Sequence, residues 1–204
     1  MLKLDGVSIL LDGVSQKVDP YLATPHDIKD RILSDPPDAL VFTHSHPDHY
    51  DPDFVAQYKA CKNGVIIGPK DISTCVYSEA VTVKNVTIKP IATRHIGKSD
   101  GCEHFSYMIC GSKRILFAGD ASPLLWRQEQ FLYTPDVVVV PFAYATSDAA
   151  WERTKTFCGK NVVIIHLPEK NDPVGLWDAV DSVISKENQT NIWIPEMGES
   201  IRFD

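Results

Sequence analysis

The stretch VFTHSHPDHYDP, residues 41–52, sets three of the chain's seven histidines and two aspartates directly after an apolar run. In an extended chain, residues i and i+2 point to the same side, so His44 and His46 present their rings together. Pro47 restricts His46 to an extended conformation and ends the strand. Asp48 and His49 then fall in the turn leading to a helix, with Asp51 as its N-cap and Pro52 as its first residue. They can face a second position beside the first. Imidazole nitrogen and carboxylate oxygen are the donors that Zn2+ and similar ions take. These dozen residues therefore offer ligands to two neighbouring cations.

Two histidines and an aspartate rarely complete such sites alone, and three further candidates recur in the same kind of place. His95 ends VTIKPIATRH, Asp120 ends RILFAGD, and His166 ends NVVIIH. Each closes an apolar run of strand length, and ligands at adjacent strand ends converge on one edge of a sheet. Gly119 permits a tight turn beside Asp120. A lone histidine at a strand end is more often a packed or surface residue. The recurrence of the placement, together with the first cluster, outweighs that reading.

The order His-x-His-x-Asp-His, then His, then Gly-Asp, then His resembles the metallo-β-lactamase fold superfamily of metal-dependent hydrolases. The resemblance runs from ILLDG at 9–13 through FAGDAS and VVVVPFAY to IPEMGESIRF at 194–203, which looks like the family's last strand pair. The chain most resembles the short ascorbate-phosphate-lactonase-like branch. The resemblance implies an α+β fold, a four-layer αββα sandwich spanning residues 1–204 as a single domain, with metals at one edge of the paired sheets. It places His44, His46 and His95 on a first metal, Asp48, His49 and His166 on a second, and Asp120 between them. Two divalent cations are implied, Zn2+ first, with Mn2+ or Fe2+ as alternatives. A hydroxide between them would attack a small-molecule ester, lactone or phosphoester. Asp48 and Asp120 then also serve catalysis, and His104 is a candidate to polarise the substrate.

His104, in CEHFSY, competes with His95 as a ligand. It opens a strand rather than closing one and lies nearer Asp120 than the family spacing suggests, so His95 is preferred. His104 is left between a substrate-facing or supporting role and plain structure. Asp100 and Cys102 share its segment. Asp12, in LLDG, either orients a metal ligand or occupies a turn, the turn being the better reading. His26 reads as a surface histidine.

The rest of the chain narrows the function classes. It has 204 residues, a net charge of −7 and no block of Lys and Arg, which disfavours a nucleic-acid partner. No apolar stretch approaches the roughly 18 residues of a membrane span. The N-terminus, broken by Asp5 and Asp12, lacks a signal peptide's apolar middle. Cys61, Cys75, Cys102, Cys110 and Cys158 are odd in number, form no CxxC pair, and read as reduced, mostly buried thiols. A cytoplasmic enzyme acting on a small molecule is expected, with its oligomeric state open. Gly97-Lys98-Ser99 is not a phosphate loop, because Ala92 stands where the motif needs glycine. No GxSxG supports a serine hydrolase. Rival readings are a catalytically silent metal-binding sensor or partner-binding protein, and a phosphodiesterase or nuclease. Redox di-iron members of the superfamily resemble one another in a Glu where His46 stands and usually carry a flavin domain, features missing here.

Strand-length runs lie at VSILLDG, ALVFTH, GVIIG, VTIKPIATRH, FSYMICG, RILFAGD, DVVVVPF, NVVIIH and NIWIPE, with GSK as a hairpin turn. Helices are expected after Asp51, with Phe54, Val55, Tyr58 and Cys61 on one face, over 70–77, over 147–158 capped by Ser147, and over 172–188 capped by Asp172 with Pro173 next. Trp151 and Trp177 read as core-facing anchors. Segments 96–104, 121–131 and 143–149 are expected to line the site, with Phe142, Tyr144 and Trp126 as wall or core residues.

Overall fold

In the computed structural model the described residues are all but 20, 73–77, 98–100, 127–133, 158, 160, 169, 171–173, 197 and 204. Strands β1 (Leu2–Leu4), β2 (Val7–Leu11), β3 (Ala39–Val41) and β4 (Val65–Ile67) make a four-stranded sheet in that order, antiparallel only between β1 and β2. The second sheet has seven strands: β5 (Val81–Val83), β6 (Val86–Thr93), β7 (His104–Cys110), β8 (Arg114–Phe117), β9 (Val137–Pro141), β10 (Asn161–Ile165) and β11 (Asn191–Trp193). They lie side by side in chain order. From β5 to β8 they pair antiparallel, and from β8 to β11 parallel.

Alternating side chains divide the apolar residues between faces. Ile9, Val41 and Ile67 of the small sheet meet Ile88, Tyr107, Ile109 and Phe117 of the large one in a core between the sheets. The neighbouring Leu10, Leu40 and Ile66 face outward and are covered by Phe54, Val55 and Tyr58 of α2 (Pro52–Cys61) and by Ile32 and Leu33 of α1 (His26–Ser34). On the far side, Leu116, Val138 and Ile164 pack beneath Trp151 of α3 (Asp148–Lys155) and Val180 and Val183 of α4 (Leu176–Ile184). The result is the αββα order expected. Tyr107 Oη donates to Phe42 O at 2.9 Å, and Phe105 N donates to Thr43 O at 2.9 Å, so the exit of β3 is tied to β7 across the two sheets.

The caps read from the sequence hold for two helices. Asp51 accepts from the amides of Asp53 and Phe54, and Ser147 from that of Ala150. The last helix differs. It begins at Leu176 after Gly175, whose φ of 73° suits glycine, while Asp172 and Pro173 lie outside the described residues. Ile72 N closes a turn onto Pro69 O, and 73–77 lie outside the described residues.

Several expectations need correction. Strands β1 and β5, not read from the sequence, bury one residue each and so present no apolar run. Among the described residues no strand follows β11, so IPEMGESIRF is not a strand pair. Ile201 and Phe203 instead pack against the intersheet core, with the Phe203 ring edge-on to Trp193 at 4.9 Å. Cys61 is exposed, and Cys102 and Cys110 are half-buried, so the described thiols are not core residues. Cys75 and Cys158 lie outside the described residues. Trp151 is buried as expected, but Trp177 is only partly so, its Nε1 donating to Pro168 O. No helix among the described residues is long and apolar enough to cross a membrane.

Candidate metal centre

The site lies where the chain leaves β2, β3, β6, β8 and β10. Asp12 stands just past β2 with φ 40°, and its amide bonds Val41 O at the end of β3. Its carboxylate accepts from Thr43 N at 2.8 Å, from Thr43 Oγ1 at 2.6 Å, and from His49 Nδ1 at 3.0 Å. The Thr43 hydrogen is committed to Asp12, since a carboxylate can only accept. Thr43 Oγ1 therefore accepts from His44 Nδ1 at 2.9 Å. His95 Nδ1 donates to Ile96 O at 2.6 Å. In all three histidines the Nδ1 proton is held by a fixed acceptor, which leaves Nε2 as the ligand atom.

The large sheet delivers the rest. Ile96 N bonds Asp120 O and Ser122 N bonds Arg94 O, so the ends of β6 and β8 are laced together and His95 faces Asp120. Gly119 has φ 54°, and a Cβ there would stand 2.4 Å from the Thr43 methyl carbon, so glycine lets β8 close onto the small-sheet loop. His166, just past β10, has φ 65°, a left-handed conformation that a non-glycine residue adopts only under constraint.

All seven residues read from the sequence come together. The ligand atoms of His44, His46 and His95 lie within 4.8 Å of one another, as do those of Asp48, His49 and His166. Asp120 Oδ2 is 3.7 Å from His95 Nε2, 3.4 Å from His49 Nε2 and 3.6 Å from His166 Nε2, so one oxygen reaches both groups. His49 Nε2 and His166 Nε2 are 2.9 Å apart.

Burial, reinforced by charge on His49, pushes the His44 pKa far down. Burial opposes the charged form of His49 as well. Its hydrogen bonds to Asp12 and Asp120 outweigh burial, and its pKa is pushed up to about 10. Burial would raise the Asp120 carboxyl, but the His49 hydrogen bond and the charges of His49 and His166 hold it well below the carboxylate range. Asp48 is lowered too, burial being outweighed by the His166 hydrogen bond and the His49 charge.

Four buried side-chain atoms among the described residues have no hydrogen-bond partner: Nε2 of His44, His95 and His104, and Oδ1 of Asp120. Buried polar atoms rarely go unpaired. Two of these atoms, on His44 and His95, belong to a group whose donor atoms lie within 4.8 Å of one another, and imidazole nitrogen and carboxylate oxygen are what a divalent cation takes, so the donor set fits the metals that the resemblance implies.

His104 sits beside the first group, its ring 5.1 Å from that of His44 and 5.7 Å from that of His95. Burial, then the His95 charge, lowers its pKa to about 3. Asp12, besides occupying a turn, bonds His49 directly and bonds the Thr43 hydroxyl that in turn bonds His44, contacts that reach across the fold. Asp100 lies outside the described residues, and His26 is exposed. Trp126 and Tyr144 are core, joined by a Trp126 Nε1 to Tyr144 Oη bond, whereas Phe142 meets the His166 ring edge-on at 6.3 Å. Tyr21, not singled out in the sequence, lays its ring 4.4 Å from that of His166. A cavity of about 160 Å³ reaches Asp48, His49, Asp120 and His166. An open groove of about 650 Å³ runs past His46 between Lys70 and Cys102.

Residues 2–155 match the model of the beta-lactamase superfamily domain. A UPF0173 protein of Pyrococcus abyssi is 27% identical over an alignment 132 residues long that covers 59% of this chain and 55% of that protein. The chain thus matches about half the length of that relative. Among solved structures, the metallo-beta-lactamase fold protein YhfI from Bacillus subtilis superposes with a TM-score of 0.51 at 15% identity, over 78% of this chain and 75% of that one. CmlA, a diiron beta-hydroxylase from Streptomyces venezuelae, gives 0.55 at 14% identity, over 94% of this chain and 50% of its own. Both share the fold.

Proposed function

We propose, for a chain that belongs to the beta-lactamase superfamily, a dinuclear metal-dependent hydrolase of a small-molecule ester, lactone or phosphoester. The observation that carries this is the convergence of two donor groups on the shared carboxylate of Asp120. His44, His46 and His95 would hold one cation, Asp48, His49 and His166 the other, with Zn2+ as the expected metal. The cations would supply Lewis acidity and make water nucleophilic at neutral pH.

The chain's own residues do the remainder. Asp12 aims His49 directly and His44 through Thr43. Asp48, whose carboxyl stays ionised, can take a proton from the attacking water. The groove past His46 leaves room for a substrate, and Tyr21 and Phe142 border the His166 side. Free Cys61, Cys102 and Cys110 suit a reducing compartment, and cytoplasmic residence is part of the reading.

The test is a panel of esters, lactones and phosphodiesters assayed with Zn2+ and Mn2+, with metal content measured alongside. Turnover should disappear on chelation and in His44→Ala. Full turnover by metal-free protein would refute the scheme. Inactivity across the panel with both positions loaded would favour a binding role.

A further inference from the structure

His104 opens β7 opposite Thr93 of β6 and is 3% exposed. One of its nitrogens is bonded and the other, Nε2, is not. The bonded side ends in a relay whose direction can be worked out. Ser106 Oγ donates to Ala118 O at 2.6 Å, and a carbonyl only accepts, so the serine hydrogen is committed. Thr93 Oγ1 lies 3.2 Å from Ser106 Oγ and must donate to it for that contact to be a hydrogen bond. Its hydrogen is then spent, and at 2.8 Å it accepts from His104 Nδ1. The proton of His104 is thereby on Nδ1, and Nε2 is a bare lone pair.

His44 and His95 are held in the same tautomer by Thr43 and Ile96. The Nε2 atoms of all three, with Asp120 Oδ1, are the buried side-chain atoms left unpartnered among the described residues. A structural histidine would bond at both nitrogens or turn its free one to water. We infer that His104 is a fourth imidazole ligand of the cation held by His44, His46 and His95. With Asp120 shared between the positions, His104 would raise the first cation to five protein donors against four at the Asp48, His49 and His166 position. Catalytic sites keep a position open, so the more open coordination would belong to the second cation, where substrate oxygen would bind. This inference rests on the metal-binding part of the proposed function, and not on hydrolysis.

Nuclear magnetic resonance of the wild-type protein, loaded with a spin-active cadmium isotope and carrying heavy-nitrogen histidine, tests it directly. Scalar coupling between cadmium and His104 Nε2 is expected, with the resonance assigned by its loss in His104→Gln. Coupling at His44, His46 and His95 with none at His104 would overturn the inference and leave the proposed function standing. No cadmium coupling at any histidine would overturn the metal pocket itself. His104→Gln should also weaken cadmium binding by more than the about 10–100-fold that loss of an outer partner costs. Thr93→Val, which cuts the relay, should weaken it less. Because the coupling is read on the wild-type protein, misfolding of a variant would not obscure the answer.

Discussion

The two halves of the metal centre are built from similar residues and behave differently. The first half, His44, His46 and His95, is all imidazole. Burial, the leading cause for both His44 and His46, keeps them neutral, and nearby histidines add to it. The second half adds Asp48 to His49 and His166 and sets His49 between the carboxylates of Asp12 and Asp120. In the metal-free protein His49 holds a proton there, its pKa raised to about 10. On the proposed reading, His44 and His46 are already neutral for a cation, whereas His49 must first give up a proton. Two positions that share an aspartate can thus differ in affinity, and differ by pH.

The largest effect should come from the residue common to both halves. Asp120→Ala is expected to lower turnover and occupancy at both positions by more than about 100-fold, beyond the loss from an outer partner. Elemental analysis and steady-state kinetics would read it, and loss at one position alone would mean that Asp120 does not bridge. Next, Asp12→Ala removes the orienting bond of His49 and, through Thr43, that of His44, whereas Thr43→Val touches only His44. Titration calorimetry should find Asp12→Ala weakening both cations by about 10–100-fold and Thr43→Val weakening only one. Matching profiles from the two variants would break the asymmetry.

Proton release sharpens the same contrast. His49 has a pKa raised from 6.5 to about 10, so at pH 7 the metal-free fold keeps its proton. The stability it adds is fully present below pH 6.5 and is lost as pH rises through about 10. Loading the second position at pH 7 should therefore release the His49 proton, and so more protons than loading the first. Calorimetry in buffers of differing ionisation enthalpy measures this, and equal release at both would remove the distinction.

The smallest effect lies at the other end of β3. Asp38 accepts from Ser8 N at 3.1 Å and pairs with Lys84 and Lys62, which lowers its pKa from 3.8 to about 2. Its contribution is present above pH 3.8 and is lost as pH falls through about 2. Asp38→Asn should cost about 1 kcal/mol in denaturant unfolding and leave metal binding unchanged.

Four of the candidate ligands, His44, His95, Asp120 and His166, were legible because each follows a run of apolar residues long enough to be a strand, and a polar residue at a strand end has to face the edge. His95, Asp120 and His166 could be picked out on that rule before their neighbours were known. Asp12 could not. Its acceptors are spent on Thr43 and His49, which lie 31 and 37 residues away, and no local pattern announces a bond of that span. Tyr21 is hidden for the same reason. Strands β1 and β5 bury one residue each and so lack the apolar run that marks the equally short β3 and β4, and the 194–203 segment carries apolar residues that serve the core without forming a ladder.

From the chain alone came the donor set and the order of its members, because residue type and placement at strand ends are local properties, and the layered architecture followed from the family resemblance that those residues carry. Which nitrogen of His44, His95 and His104 is left unbonded, which half carries a proton, and that His104 lies beside His44 and His95 were decided only by tertiary structure. Those properties depend on hydrogen bonds and burial among residues far apart in sequence, and they exist only once the two sheets have closed on each other.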